Sequence, residues 1–236
     1  GRLSRRGYGA QNPCSRDVIR IPPGVHKAAD ISPSQSDPWG RVSVVIVTHH
    51  SGAVIESCLT GIEPTAELVV IDNASSDDTT EIVARVAPSA VVEKNLIGVG
   101  YGAGANQGLG RATREFALLA NPDSQIDTVA LAQLIEAADK YPDSALLSPR
   151  VIDASGADEP AHDVELFRRR DYPPRANEAP PDGPCCAAYL SGAVVLLRMS
   201  ALKDIGPFDE AIFLYYEDDD FCMRVRAASY SSVLVP

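Results

Sequence analysis

The run VSVVIVT at residues 42–48 constrains the fold of this chain more than any other segment. Its β-branched residues lack the polar alternation of a half-exposed strand, which is typical of a parallel strand buried on both faces. Helical and extended patterns alternate after it, through the apolar segment FALLA at 116–120 and a predicted helix at 128–140. The sequence therefore predicts an α/β fold with a mostly parallel central sheet and helices on both faces.

Charge and composition exclude several classes of protein. Acidic residues outnumber basic ones, 32 to 21, and the formal net charge of −11 opposes the counterion release on which nucleic acid binding depends, so we expect no nucleic acid polymer as partner. No apolar run approaches the roughly 18 residues of a membrane-spanning helix. The five cysteines lack paired metal spacing, which predicts reduced thiols in a cytoplasmic protein, without zinc or a disulfide framework.

Two stretches carry little periodic pattern. Residues 1–41 are rich in proline and are predicted to form an extended N-terminal arm. Residues 153–184 are rich in Pro, Asp, Arg and Ala, and such a long insertion in a compact domain is usually functional or disordered. Its Arg168, Arg169 and Arg170 either bind the phosphate of a lipid-linked acceptor or form a solvated charge run.

Polar residues follow the first two predicted strands, at the edge where doubly wound sheets bind ligands. Thr48 ends the first strand, and Asp72 and Asn73 end the second. An aspartate there can accept a hydrogen bond from a ribose hydroxyl or a base N–H, and a threonine adds a hydroxyl. An Asx turn into the next helix is the alternative. Two such ends side by side favour a nucleotide-binding edge.

The segment GVGYGAGANQG at 98–108 is a second candidate site. Gly98, Gly100 and Ala103 fit the G-x-G-x-x-A pattern of dinucleotide-binding folds, and Asp123 follows at a suitable distance. That pattern belongs at the first strand-to-helix turn, whereas two strand and helix pairs precede this one. An NAD-dependent oxidoreductase therefore stays an alternative, and we expect the glycines to let the backbone approach a flat nucleotide base.

Asp123 lies in LLANPDS, directly after a predicted buried strand. A carboxylate fixed there can hold Mg²⁺ or Mn²⁺, with water and phosphate oxygens in the remaining positions. The other interpretation is a cap for the next helix, although Asp127 is better placed for capping. Residues alone leave both interpretations open.

Four consecutive acids, Glu217 to Asp220, begin the last predicted helix. Acids in a first turn interact favourably with the helix dipole, and Asp220 can pair with Arg224 one turn later. Four acids exceed what capping requires, so Asp218 is a candidate general base.

Seven motifs occur in register over residues 42–236: VSVVIVT, VVIDNASSDDT, GYGAGANQG, LLANPDS, LSGAVVLLR, GPFDE and YYEDDDFCMR. In this order they resemble the inverting glycosyltransferases of family 2, in the branch typified by bacterial rhamnosyltransferases. The resemblance implies a GT-A fold, with a Rossmann-like nucleotide-sugar-binding half at 42–124 and an acceptor-binding half at 125–236. It also implies transfer from a nucleotide-diphosphate sugar, dTDP- or UDP-linked, to a glycan or lipid-linked acceptor. The setting would be cell-surface polysaccharide synthesis, cytoplasmic or peripheral on the inner face of the membrane.

Carried over by position, the resemblance assigns roles to individual residues. The donor would be bound by Thr48, Asp72, Asn73, Gly100, Tyr101, Gly102, Asn106 and Asn121. Asp123 would hold the divalent metal, Mg²⁺ or Mn²⁺, as the remaining carboxylate of the family's DXD element, with Asn121 in place of the first acid. Asp218, with Glu217 beside it, would be the base of a single displacement that inverts the sugar. The acceptor would be bordered by Leu190, Ser191, Gly192 and Ala193.

The sequence also departs from the family pattern. His49 and His50 stand where Tyr-Asn is usual, Gly98 where Asn is common, and Pro207 where glycine is common, so donor preference can differ.

The chain ends before a segment in which relatives usually supply a histidine near the metal, so we expect a truncated acceptor half. His49, His50 or His162 would replace that histidine or be ordinary structural residues. A non-catalytic module that binds nucleotide sugars or glycans is therefore a further alternative.

Overall fold

The computed structural model describes residues 37–153, 155–158, 162–163 and 181–236. Most of the predicted N-terminal arm, and Arg168 to Arg170, lie outside the described residues. The first half alternates strands and helices as the sequence predicts. Its elements are β1 (Val42–Thr48), α1 (Ile55–Thr60), β2 (Glu67–Asp72), α2 (Thr79–Val86), β3 (Val91–Lys94), α3 (Tyr101–Leu109) and β4 (Phe116–Ala120).

The second half combines one long helix with several very short strands. Its elements are α4 (Thr128–Lys140), β5 (Ser144–Pro149), β6 (His162–Asp163), β7 (Cys185–Ala187), β8 (Tyr189–Leu190), β9 (Val194–Arg198), α5 (Met199–Ile205), α6 (Glu217–Ala227) and β10 (Ser231–Val235).

Eight of these strands form one sheet in the order β3-β2-β1-β4-β9-β5-β10-β7. The pairs β3–β2, β2–β1, β1–β4 and β5–β10 are parallel, whereas β9 runs antiparallel between β4 and β5, and β7 antiparallel beside β10. The prediction of a mostly parallel central sheet is confirmed. Because β9 is reversed, its start meets the carboxyl end of β4, which brings residues before β9 to the edge where β1, β2 and β4 end.

The core lies on both faces of the sheet, as the unbroken apolar run of β1 predicts. Val44 and Ile46 belong to the cluster on one face, with side chains of α1 and α4. Val45 and Val47 belong to the opposite cluster, with side chains of α3, α5 and α6. Adjacent residues of a strand point to opposite faces, so a strand with helices on both sides must be apolar throughout.

The described fold begins before β1. Residues 38–41, which the sequence analysis assigned to the arm, form a 3-10 turn with Trp39 fully buried. The Trp39 indole N–H donates to Thr128 Oγ1 at 2.9 Å, at the start of α4. A large aromatic ring with a satisfied N–H stabilises the fold by burial, so this turn belongs to the core rather than to an arm.

The sequence analysis missed the described strands of the second half other than β9, and two of the missed strands, β5 and β10, lie in the interior of the main sheet. Both are short and begin with serine, and β5 ends in proline, so neither shows the long apolar run of β1. They pair with each other in the sheet interior, and this long-range pairing buries Leu147 and Val233.

Candidate active site

The first cluster joins the ends of β1 and β2. Thr48 Oγ1 donates to Asp72 Oδ1 at 3.2 Å, and both side chains are fully buried. The Ser75 N–H donates to Asp72 Oδ2 at 3.2 Å, and Lys94 Nζ lies 3.6 Å from the same oxygen. A buried carboxylate is tolerated when donors and a cation surround it, so Asp72 is fixed at this edge.

Asn73 ties this cluster to the glycine segment. Its Nδ2 donates to the Gly100 carbonyl at 3.1 Å, and its Oδ1 accepts from the Val99 N–H at 2.8 Å. Its own N–H donates to the Thr48 carbonyl at 2.7 Å. Asn73, a predicted donor-binding residue, therefore holds the loop before α3 against the end of β1.

The glycines just before and within α3 lie very close to other segments of the protein. A Cβ on Gly100, where φ is +91°, would lie 2.4 Å from the Phe213 carbonyl oxygen. On Gly104 and Gly108 it would lie 2.8 and 2.3 Å from the Cγ1 atoms of Val47 and Val45. These three positions require glycine for packing, because α3 lies against the sheet and the backbone of Phe213 passes close to its start; the approach of a nucleotide base stays a prediction.

Gly102 and Asn106 contact the turn at residues 206–210, which has the sequence GPFDE. A Cβ on Gly102 would lie 3.2 Å from Phe208 Cβ. Asn106 Nδ2 donates to the Phe208 carbonyl at 3.0 Å, and the Phe208 N–H donates to Asn106 Oδ1 at 2.8 Å. Phe208 in turn stacks on Phe221 of α6, with ring centroids 4.3 Å apart. Two predicted donor-binding residues therefore position α6.

Tyr101 links α3 to the second half. Its N–H donates to the Phe213 carbonyl at 3.0 Å, and its hydroxyl donates to the Gly192 carbonyl at 3.5 Å. Burial raises the pKa of Tyr101, and the nearby carboxylates Glu217 and Asp218 raise it further. The phenol therefore stays protonated and available as a donor at neutral pH.

Asp218, the predicted base, lies against the predicted acceptor segment. Its Oδ2 accepts from the Tyr189 hydroxyl and, at 3.4 Å, from the Gly192 N–H. Its Oδ1 accepts from the Asp219 N–H at 3.0 Å. Ser191 and Ala193 complete this turn, whereas the side chain of Leu190 is buried in the core. The predicted acceptor residues 191–193 therefore lie next to Asp218, and the buried side chain of Leu190 packs in the core behind them.

The same turn contacts the segment that follows β4. The Asn121 N–H donates to the Ala193 carbonyl at 2.9 Å, and Ser124 Oγ donates to the same carbonyl at 3.2 Å. Residues 191–193 therefore bridge Asp218 on one side and the Asn-Pro-Asp motif on the other.

Asp123 is exposed at this edge. Burial raises the pKa of the Cys58 thiol to about 12, and the negative charge of Asp123 contributes. Asp127, rather than Asp123, caps α4 by accepting from the Ala130 N–H at 2.7 Å. The capping interpretation of Asp123 is therefore wrong.

The described residues contain no cluster of three or more His, Cys, Asp or Glu side chains that would hold a metal by themselves. His49 Nδ1 lies 2.8 Å from the Asn73 carbonyl, and His50 Nδ1 lies 3.9 Å from Asp77. His162 lies in β6, opposite Leu190. A metal at Asp123 would therefore need oxygen ligands from a bound molecule and from water.

The four acidic residues at the start of α6 lie in three different surroundings. Asp220 pairs with Arg224 at 2.8 Å, as predicted, and Arg224 also donates to the Pro207 carbonyl at 2.8 Å. Glu217 and Asp219 are buried at the start of the helix. Asp220 therefore anchors the helix, and Asp218 is the acid that faces the turn.

Sequence reasoning missed Tyr189 and Phe213. Tyr189 lies on a strand of two residues, and Phe213 contributes its backbone carbonyl, so neither carries a periodic or motif signal. Each residue is recognised only by a contact with a distant part of the chain: Tyr189 contacts Asp218, and Phe213 contacts Gly100.

Together, the nucleotide-type edge of β1, β2 and β4 and the adjoining acid-lined turn define a GT-A glycosyltransferase fold. Residues 43–198 match the model of the family "Glycosyl transferase family 2", and the chain belongs to that family.

Two curated relatives are enzymes of glycan assembly. An N-acetylglucosaminyl-diphospho-decaprenol L-rhamnosyltransferase of Mycobacterium tuberculosis is 27% identical over 223 residues, which cover 82% of this chain and 73% of the relative. The low-salt glycan biosynthesis hexosyltransferase Agl10 of Haloferax volcanii is 28% identical over 199 residues, which cover 78% of this chain and 61% of Agl10.

Solved structures agree on the fold. Staphylococcus aureus TarS superposes with a TM-score of 0.64 at 22% identity, and the match covers 83% of this chain but only 35% of TarS. The mannosyltransferase PcManGT of Pyrobaculum calidifontis, solved with GDP-Man and Mn²⁺, gives 0.61 at 18% identity, with 83% of this chain and 54% of PcManGT covered. The chain therefore spans about a third of TarS and about half of PcManGT.

Proposed function

We propose that this chain is an inverting glycosyltransferase that moves a sugar from a dTDP- or UDP-linked donor to a hydroxyl of a glycan or lipid-linked acceptor. One observation carries the proposal. The turn 191–193 contacts the carboxylate of Asp218 on one side and the Asn121 backbone on the other. An acceptor at this turn would lie between a general base and the edge at which the donor is expected.

The donor would bind along the ends of β1, β2 and β4. Thr48 and Asp72 would support the nucleoside-binding edge from within the protein, because both side chains are fully buried and bonded to each other, and Asp72 is also held by the Ser75 N–H. Asn73, Gly100, Gly102 and Asn106 would act indirectly, by holding α3 and its loop in place. Tyr101 and Asn121 would border the sugar, next to the turn.

Asp123 fits a divalent ion, Mg²⁺ or Mn²⁺, that takes its other ligands from diphosphate and water. The carboxylate is exposed after β4, and no hydrogen bond or ion pair from another described residue occupies it. A bound ion would supply positive charge against the leaving diphosphate. Mg²⁺ commonly binds through one or two protein carboxylates together with phosphates, which matches the lone Asp123.

The step itself is a single displacement. The acceptor hydroxyl oxygen forms a bond to the anomeric carbon as the bond from that carbon to the diphosphate oxygen breaks, and its electron pair leaves with the diphosphate. The hydroxyl proton passes to the carboxylate of Asp218, which makes the poor nucleophile reactive. Attack from the face opposite the leaving group inverts the configuration. Glu217, buried beside Asp218, would add negative charge where the sugar becomes positive.

The acceptor class rests on the named relatives. The mycobacterial enzyme is named for a diphospho-decaprenol acceptor, which supports a lipid-linked acceptor and a role in cell-surface polysaccharide synthesis here. No helix in the described part of the chain is long and apolar enough to cross a bilayer. The lipid-linked acceptor named for the mycobacterial relative leads us to propose that the reaction takes place at the cytoplasmic surface of the membrane, with peripheral contact through the acceptor.

Calorimetric titration tests the donor half. UDP, dTDP, GDP and NAD would be titrated with and without Mn²⁺ into the wild type and Asp123→Ala. We expect one nucleoside diphosphate to bind with Mn²⁺, and this binding to weaken at least about tenfold in Asp123→Ala, because the ion loses its protein ligand.

Other outcomes favour the alternatives. NAD binding without dependence on Mn²⁺ would favour the oxidoreductase. Nucleoside diphosphate binding with neither sugar transfer nor slow donor hydrolysis would favour a non-catalytic binding module. Absence of any binding would contradict the proposed function.

A further inference from the structure

The carboxylate of Asp218 is held from two sides. Its Oδ1 accepts from the backbone N–H of Asp219, in the first turn of α6. Its Oδ2 accepts from the hydroxyl of Tyr189 on β8 and, at the longer distance of 3.4 Å, from the Gly192 N–H. Tyr189 thus supplies a side-chain donor for this carboxylate from outside the helix.

The start of α6 does not by itself fix the direction of the Asp218 carboxylate. The two residues before the helix, Tyr215 and Tyr216, have φ values of 64° and 70°, a left-handed backbone that L-residues seldom adopt. This turn sets where the helix begins, but the carboxylate still rotates about two side-chain bonds. A donor on a separate, rigid element removes that freedom.

Tyr189 is such a donor. It is 1% exposed, and β8 is anchored by pairing with β6, where Tyr189 lies opposite Asp163. The next residue, Leu190, is also buried, and its carbonyl accepts from the Cys222 thiol of α6 at 3.8 Å. Burial on this paired strand restricts the phenol ring of Tyr189. Its hydroxyl donates to the carboxylate of Asp218, and the orientation of that carboxylate toward the acceptor turn matters for proton transfer.

We propose that Tyr189 is a positioning residue for the transfer reaction: its hydroxyl holds Asp218 in the orientation in which the carboxylate faces the acceptor turn at 191–193. This inference rests on the proposed function, in which Asp218 is the base. Tyr189 touches Asp218 and not the reacting atoms, so it acts through Asp218.

The charged groups around Asp218 make the hydrogen bond from the Tyr189 hydroxyl important for its carboxylate. The groups near Asp218 and Tyr189 are mostly acidic or neutral, and no Lys or Arg among the described residues forms an ion pair with the Asp218 carboxylate. They are Glu217, Asp219 and Cys222 on α6, Tyr101 on α3, and His162 and Asp163 on β6. A neutral O–H donor stabilises the carboxylate form without the full charge that would quench a base.

Tyr189→Phe tests the proposal with a change of one oxygen atom. The probes would be dTDP-L-rhamnose and UDP-N-acetylglucosamine as donors, with a short-chain N-acetylglucosaminyl-diphosphoprenol acceptor, and release of nucleoside diphosphate as readout. We expect kcat to fall about tenfold or more while KM for both substrates changes by less than about threefold, because a hydrogen bond to a charged group is lost and the binding contacts remain.

The pH profile separates positioning from simple loss of structure. A donor to a carboxylate favours its charged form, so removal of the donor should move the acid limb of the kcat profile to higher pH. Incorporation of 3-fluorotyrosine at position 189 preserves the shape and makes the hydroxyl a stronger donor, so the acid limb should move to lower pH. This second variant keeps the test decisive even where Tyr189→Phe does not fold.

Tyr230→Phe is the matched control. The Tyr230 hydroxyl donates to Asp204 Oδ2 at 2.8 Å, so this variant also removes a tyrosine-to-aspartate hydrogen bond, but an exposed one away from Asp218. We expect its kcat and pH profile to equal those of the wild type.

The outcomes also distinguish this inference from the proposed function. If Asp218→Asn retains wild-type transfer, the base assignment and the positioning role both fail. If Asp218→Asn is inactive while the two Tyr189 variants keep the wild-type kcat and acid limb, the proposed function stands and the positioning role is overturned.

Discussion

The two halves of this molecule build their parts of the site in different ways. In the first half, Thr48 and Asp72 lie at the ends of long buried parallel strands, and Asn73 is bonded to the backbone of both neighbouring segments. In the second half, Asp218 and the turn 191–193 belong to a helix start and to the connection between strands of two and five residues. The first half is preorganised by its sheet, and the second by individual contacts between side chains.

This difference supports the proposed division of tasks between the halves. An edge fixed by a continuous core suits a ligand part that is the same in many reactions, such as a nucleoside diphosphate. A turn held by a few side chains can change without disturbing the core, so it suits the variable acceptor. Substitutions in the second half should therefore separate turnover from donor binding, whereas those in the first half should affect folding.

Asp218→Asn should have the largest effect. The amide keeps the shape but does not take up the acceptor proton, so kcat should fall by about 10²- to 10⁴-fold. The affinity for the nucleoside diphosphate should stay within about twofold, because Asp218 lies in the other half. Steady-state kinetics and calorimetry on the same preparation measure both quantities.

Asp220→Asn is the control for this substitution. It makes the same chemical change two residues along the helix, where the acid pairs with Arg224 rather than facing the turn. Its kcat should remain close to the wild type. Equal losses in the two variants would mean that α6 requires its acids for structure, and the contrast between the halves would then be invalid.

Gly108→Ala should break the first half through packing. The new Cβ would lie 2.3 Å from Val45 Cγ1, and Val45 is a stiff β-branched residue in the middle of β1. Alanine favours a helix by up to about 1 kcal/mol, but overpacking of a core costs about 1–3 kcal/mol, so the net change should be a destabilisation.

Urea unfolding of Gly108→Ala and Gly98→Ala measures this effect against a matched control. A Cβ on Gly98 meets nothing within 4 Å, so that variant should unfold within about 0.5 kcal/mol of the wild type. Equal stabilities of the two variants would contradict the packing role of the α3 glycines.

The same contrast explains what the sequence could predict. Strands with an uninterrupted apolar run, such as β1, β2 and β4, can be predicted from the sequence alone. The polar residues at their ends could be assigned to one site because parallel strands end at the same edge of the sheet. The cap by Asp127 and the pair between Asp220 and Arg224 are local and were predicted correctly.

Contacts between distant parts of the chain carried no such signal. The α3 glycines fit a nucleotide-binding pattern, and two of them pack against Val45 and Val47. The sequence pattern does not distinguish these cases, because a glycine allows close approach of another protein segment as well as of a ligand. Tyr189 meets Asp218 through the fold of the second half, where strands are too short to show a period. Sequence patterns therefore predicted the scaffold better than the contacts that orient the base.

The junction of the halves should show the smallest effect. Arg41, just before β1, bonds Glu115 at the end of the first half and Asp139 on α4 of the second, each at 2.8 Å. The hydrogen bond from Arg41 lowers the pKa of Asp139 below its usual range. A carboxyl with a lowered pKa stabilises the folded state above its unfolded pKa, and this contribution is lost as the pH falls through its folded pKa.

Arg41→Gln should therefore lower the free energy of unfolding by about 0.5–1 kcal/mol at pH 7, since these partners are half exposed and screened by solvent. The difference from the wild type should shrink as the pH falls below the ordinary range of an aspartate carboxyl and through the lowered pKa of Asp139, where this carboxyl takes up its proton. Thermal unfolding across this pH range measures it, and Arg85→Gln, which breaks the exposed pair with Glu56 inside the first half, is the control. If Arg41 links the two halves, the free energy of unfolding should fall more in Arg41→Gln than in Arg85→Gln, and kcat should be unchanged in both variants. Equal changes would mean that the halves are joined by their shared sheet alone.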